Sequence, residues 1–176
     1  MKFQELGLPG VWLIEPELIQ DERGIFRRHF CKKEFADHGI ETGVMQGNIS
    51  ENPHLYTLRG FHYQAPPHSE GKTISCLSGG VYDIVVDLRK GSKTFLQWVS
   101  LTIDSKDRKS LYVPPGCANA YMTTEPNTIV HYYMTAMYTA DAYRGFHYND
   151  PAFNFVWPAP PKLISEKDQN LPLYSA

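Results

Sequence analysis

The chain has 176 residues, 42% hydrophobic and 13% aromatic, with a net charge of −2. That composition suits one globular domain with a full core rather than a disordered chain, and the near-neutral charge offers no bulk attraction for nucleic acid or membrane. No apolar run reaches the roughly 18 residues of a membrane-spanning helix, and the three cysteines, Cys31, Cys76 and Cys117, lack zinc spacing and suit a reducing cytoplasm.

In chain order, the opening MKFQELGLPGVWLIEPEL is interrupted by Glu5 and Pro9 and does not read as a secretion signal. CKKEFADHG (31–39) predicts a short helix stopped at Gly39. Frequent glycines and prolines then divide the chain into short alternating segments. In GGVYDIVVDLRKGS, Val81, Asp83, Val85 and Asp87 point one way, and Tyr82, Ile84, Val86 and Leu88 the other. TFLQWVSLTI (94–103), SLYVPPG (110–116), ANAYMTT (118–124) and TIVHYYMT (128–135) follow at the spacing of a sandwich or barrel. The tail beyond Trp157 reads as an irregular segment ending in one helical turn at LISEKDQN. The expectation is a single all-β domain over residues 1–176.

YTLRGFHYQAPP (56–67) places His62 among apolar residues, and three readings stand: a general base, a metal ligand, or a packed core histidine. The metal reading can be tested against the two-motif pattern of metal-binding cupins, which the chain resembles in frame. The four ligand positions hold His62, Gln64, Lys72 and Asn119. An ammonium cannot ligate and amides are weak ligands for transition metals, so no metal is expected. A histidine base beside a cation suits proton abstraction next to a carbonyl instead.

DERG (21–24), LRGFHYQ (58–64), GK (71–72), VYDIVVDLRKGSKTF (81–95), YVPPG (112–116), YNDP (148–151), WP (157–158) and ISEKD (164–168) run in order along the chain. This ordered set resembles the nucleotide-diphospho-4-keto-sugar 3,5-epimerases. The resemblance implies a cupin jelly-roll barrel with a few short helices, a homodimer exchanging N-terminal strands, and a nucleotide-diphosphate sugar as substrate. It also implies inversion at C3 and/or C5 of a 4-keto-6-deoxy sugar without a cofactor, for surface polysaccharide or deoxysugar biosynthesis in the cytoplasm.

The same resemblance implies roles. His62 is the base, Asp168 its carboxylate partner, Lys72 the cation at the C4 oxygen, and Tyr132 the acid on the opposite face. An ungapped count from the PPG turn selects Tyr132; a slip of one residue selects His131 or Tyr133. Arg59 and Arg23 hold the diphosphate, Arg23 from the neighbouring subunit. Asn48, Tyr138, Asp83 and Asn119 complete the substrate contacts. Four positions depart from the family pattern: Asn119 for a His that pairs with Asp83, Arg28 for a Glu, Gly47 for an Asp, and Tyr143 for a Glu. They imply a changed nucleotide, sugar or number of inverted centres. Two other classes remain, a sugar-nucleotide binding cupin without catalysis and a metal-dependent cupin.

Overall fold

The computed structural model describes residues 1–175. In chain order it contains β1 (Lys2–Glu5), β2 (Trp12–Glu15), β3 (Leu18–Asp21), β4 (Gly24–Arg27), α1 (Lys32–Ala36), β5 (Gln46–Asn52), β6 (Thr57–Gln64) and β7 (Lys72–Ser78). There follow β8 (Gly80–Asp87), β9 (Trp98–Asp104), β10 (Ser110–Val113), β11 (Cys117–Thr123), β12 (Thr128–Met134), β13 (Tyr143–Gly145), β14 (Leu163–Ile164) and α2 (Glu166–Gln169). Among the described residues no helix is long and apolar enough to cross a membrane.

Two sheets make the all-β jelly roll. One has six strands in the order β1-β2-β10-β7-β12-β5, the other five in the order β13-β6-β11-β8-β9, with β14 lying parallel beside β6. They face each other as a sandwich and do not join into one continuous barrel. Strict alternation builds three packed layers from these strands. Val81 and Val85 of β8, Ile74 of β7, Leu111 and Val113 of β10 and Val130 of β12 form the core between the sheets. Ile84 and Val86, the other face of β8, pack under the aromatic tail residues Phe146, Phe153, Phe155 and Trp157. Phe35 and Ile40 cover Ile14 and Tyr112 on the outside of the six-stranded sheet.

The β8 alternation is as the sequence predicts. The strand expected from Thr94 starts only at Trp98, because the segment before it is a turn: Phe95 N–H bonds to Ser92 C=O, and the Thr94 hydroxyl is drawn to Asp87. The helix expected over 31–39 is confined to Lys32–Ala36. Its end is a Schellman turn, with Ile40 N–H on Phe35 C=O, Gly39 N–H on Ala36 C=O, and Gly39 at φ +69°. The early strands β1 to β7 carry charged, glycine and proline-flanked residues that masked their alternation.

Candidate functional site

A cavity of about 490 Å³ opens between the sheets. Its first construction problem is on β6. Arg59 and His62 are three residues apart, so a regular strand sends them to opposite faces. A bulge resolves this: His62 pairs with Asn119 and Arg59 with Tyr121, so one extra residue of β6 lies opposite β11. Both side chains then line the cavity, while Phe61 points out into the aromatic layer. Gly60 makes the bulge possible. It sits at φ +116°, and a Cβ there would come within 2.7 Å of Ala120 Cα and Asn119 O.

His62 is held from behind by the tail. Its Nε2 meets Asp168 Oδ1 at 2.7 Å, and Asp168 Oδ2 accepts the Gly60 N–H at 3.2 Å. Asp168 is placed by α2, whose N-cap Ser165 accepts the Asp168 N–H through its hydroxyl. Burial alone raises the Asp168 carboxyl, but the His62 hydrogen bond and charge, with Gly60 and Ser165, outweigh it and leave the carboxyl below its ordinary value. With Nε2 engaged, Nδ1 is the ring nitrogen without a protein partner among the described residues. The geometry is that of an oriented base.

Lys72 crosses from β7 to the opposite sheet. Its ammonium donates to His62 C=O and to Asn119 Oδ1, each at 3.2 Å, and pairs with Glu70 Oε1 at 3.2 Å. Asn119 in turn donates through Nδ2 to Asp83 at 3.2 and 3.4 Å. Where the family pattern has a His paired with this Asp, the Asn119 amide supplies the donor. Asp83 does not line the cavity but stands behind Asn119. Burial pushes its carboxyl up to about 8, against the Asn119 hydrogen bond and the Lys72 charge.

The opposite wall carries Tyr132 on β12. It lines the cavity, while its neighbours His131 and Tyr133 point outward to His29. Burial pushes the Tyr132 phenol up, partly opposed by Arg59, so it is a protonated donor at neutral pH. Arg59 gives its Nε to Asn52 Oδ1 at 2.8 Å, and its terminal nitrogens make no protein hydrogen bond among the described residues. Tyr138 sits at the rim, edge-on to Tyr143. Asn48 flanks the cavity, donating to the Met134 sulfur.

Arg23 lies elsewhere: it is exposed at the tip of the β3–β4 hairpin, paired with Asp21. Of the four departures, Asn119 and Tyr143 line the cavity. Arg28 pairs with Glu34, and Gly47 faces His131 and Tyr133 on the outer surface. The cavity also holds Glu70, which the sequence did not single out, and gives the Tyr143 departure a place beside the base. Glu70 has a side chain only 4% exposed, and nothing in a turn-like HSEGK marks it as buried. Tyr143 places its ring 5.1 Å from that of His62, and burial raises its phenol strongly. The residues do not suit a metal. Gln64 spends its amide on His68 C=O, Met137 C=O and Thr139 N–H, and Lys72 supplies a cation.

Comparison with known proteins points one way. The profile of the family described as dTDP-4-dehydrorhamnose 3,5-epimerase matches residues 5–176. The chain is 37% identical over 173 residues to the dTDP-4-dehydrorhamnose 3,5-epimerase of Sinorhizobium fredii, covering 98% of this chain and 89% of that protein. It is 31% identical over 171 residues to a dTDP-4-dehydrorhamnose 3-epimerase of Streptomyces niveus, covering 97% of this chain and 82% of that one. The crystal structure of the Bacillus anthracis dTDP-4-dehydrorhamnose 3,5-epimerase with TDP and PPi bound superposes with a TM-score of 0.95 at 36% identity, covering 98% of this chain and 99% of that one.

Proposed function

The chain belongs to the dTDP-4-dehydrorhamnose 3,5-epimerase family, and we propose that it is an epimerase acting on a nucleotide-diphosphate 4-keto-6-deoxy sugar. One observation carries the reading: the His62–Asp168 pair stands on one wall of the cavity, Tyr132 on the other, and Lys72 reaches across. His62 takes the proton from C3 or C5, and the C–H electrons move onto the C4 oxygen as an enolate. The fixed charge of Lys72 stabilises that oxygen. Tyr132 gives a proton to the carbon from the opposite face, the carbonyl re-forms, and solvent restores both groups. The substrate's own carbonyl is the electron sink, so no cofactor takes part. Arg59 binds the diphosphate, with Tyr138 and Asn48 beside it.

The functional unit is a homodimer. Leu18, Ile19, Ile25 and Phe26 on the β3–β4 hairpin are exposed, Phe26 to 67%, and a lone two-stranded hairpin is marginal in water. β5 is an edge of the six-stranded sheet, exposes Ile49, and borders the cavity. A partner's hairpin docked there covers the apolar side chains and brings its Arg23 toward the diphosphate. Phe26→Asp is expected to yield a monomer by analytical ultracentrifugation.

The test is proton exchange in heavy water with dTDP-4-keto-6-deoxyglucose, read separately at C3 and C5. Deuterium at either carbon, lost in His62→Ala, supports the assignment and counts the centres. Wild-type protein that binds the nucleotide sugar and exchanges neither proton overturns it and leaves a non-catalytic binding protein.

A further inference from the structure

The Lys72 ammonium is held before any substrate arrives. An ammonium has three N–H groups, and His62 C=O, Asn119 Oδ1 and Glu70 Oε1 each lie 3.2 Å from Nζ. Two of these acceptors are fixed locally. The His62 carbonyl is β6 backbone, and Glu70 anchors its other oxygen on the Gln64 N–H at 3.0 Å. The third is a side-chain amide, which can turn either its oxygen or its NH2 toward Lys72. The oxygen attracts the ammonium and the NH2 repels it.

Asp83 settles that choice. It is wholly buried on β8, and both its oxygens face Asn119 Nδ2. With the NH2 drawn to Asp83, the amide oxygen must face Lys72. We propose that Asp83 and Asn119 are positioning residues for Lys72: Asp83 locks the Asn119 amide, and the locked oxygen holds the ammonium where the enolate oxygen forms. This deepens the function proposed above and rests on its reading of Lys72. It also gives Asp83 and Asn119 a role distinct from substrate contact.

Asp83→Asn, compared with wild type above about pH 8 where Asp83 is an acceptor-only carboxylate, is isosteric and unlocks the amide, since the new side chain can itself flip. Asn119→Leu removes the held oxygen. In both, kcat falls on the order of a hundredfold, the cost of misplacing a preorganised charge, while KM stays at its wild-type value. In a Lys72→Met background neither variant lowers kcat further, because the group they position is gone. A raised KM with unchanged kcat, or losses that multiply with Lys72→Met, overturns the proposal. If Asn119→Leu does not fold, Asp83→Asn carries the test alone. An arm independent of turnover is nitrogen-15 NMR of the lysine ammonium groups in ligand-free protein. The slowly exchanging signal that Lys72→Met removes is expected to broaden away in Asp83→Asn, and its persistence overturns the lock whatever the activity. Wild-type protein without proton exchange refutes the function instead; wild-type exchange with variants equal to it refutes only the positioning role.

Discussion

Asp83 and Asp87 lie four residues apart on the same inward face of β8, and both are fully buried. Their surroundings differ completely. Asp87 accepts from Arg89 N–H, Nε and a terminal nitrogen and from the Thr94 hydroxyl, at 2.7 to 3.0 Å. Burial raises its carboxyl, but those donors win and hold it at about 2. Asp83 has one amide at 3.2 and 3.4 Å and a cation beyond it, and burial wins, at about 8. The first carboxylate closes the turn after β8 and ties Arg89 to Pro9 C=O. The second stands behind a cavity. Burial alone does not mark function; a buried carboxyl with too few donors to keep it ionised, next to a cavity, does.

The largest effect expected at the chemical end is that of His62→Ala. Losing a general base lowers the exchange rate by about 10² to 10⁴, and the buried Asp168 carboxyl left without its partner lowers the unfolding midpoint as well. At the structural end, Asp87→Ala leaves the Arg89 guanidinium without its partner and costs about 3 to 5 kcal/mol in urea unfolding. The protein that remains folded keeps its kcat. A large rate loss in Asp87→Ala would erase the distinction between the two ends of β8.

The pH dependence of stability separates the same two groups by sign. Asp83 has a folded value, about 8, above the ordinary carboxylate near 3.9. Its contribution is fully present below about pH 4 and is lost as pH rises through about 8. Asp87 has a folded value of about 2, below the ordinary one, so its contribution is present above about pH 4 and lost as pH falls through about 2. Urea titrations across pH are expected to show Asp83→Asn flattening the curve between 4 and 8, by a few kcal/mol. Asp87→Asn flattens it only below 4. Equal slopes in the two variants would contradict the partner sets described above.

Much of this was legible in the sequence. The alternation of VYDIVVDL assigns Val85 and Ile84 to different layers, and the strand period separates Tyr132 from His131 and Tyr133. The ordered motifs bring His62 and Asp168 together although they are 106 positions apart. What was not legible depends on contacts across strands. Arg59 shares a face with His62 only because Gly60 abuts Ala120 and creates the bulge. Asn119 reads as a lost histidine until its register opposite Val85 and beside Asp83 shows the amide supplying the same donor. Glu70 looks like a solvated turn residue, and its burial is decided by the Gln64 N–H and Lys72 that meet it. Arg23 lies outside the cavity of its own chain, exposed at the hairpin tip and paired with Asp21.

The smallest effect tests how structure serves chemistry at the cavity end. Ser165 touches nothing in the cavity; it caps α2 by accepting the Asp168 N–H at 3.1 Å. Ser165→Ala is expected to cost about 1 kcal/mol of stability. If that cap serves only the helix, kcat is unchanged. If it also sets where Asp168 meets His62, up to the same free energy is lost from the transition state, about fivefold in kcat. The His62–Asp168 separation of 2.7 Å favours the second outcome, because a short charge-assisted bond is sensitive to small displacements of its carboxylate. Ser165→Thr, which keeps the hydroxyl, is expected to restore both rate and stability. Asp87 is the contrast: a carboxylate clasped as firmly but away from the cavity that holds His62, Lys72 and Tyr132, it turns the same kind of support into stability alone.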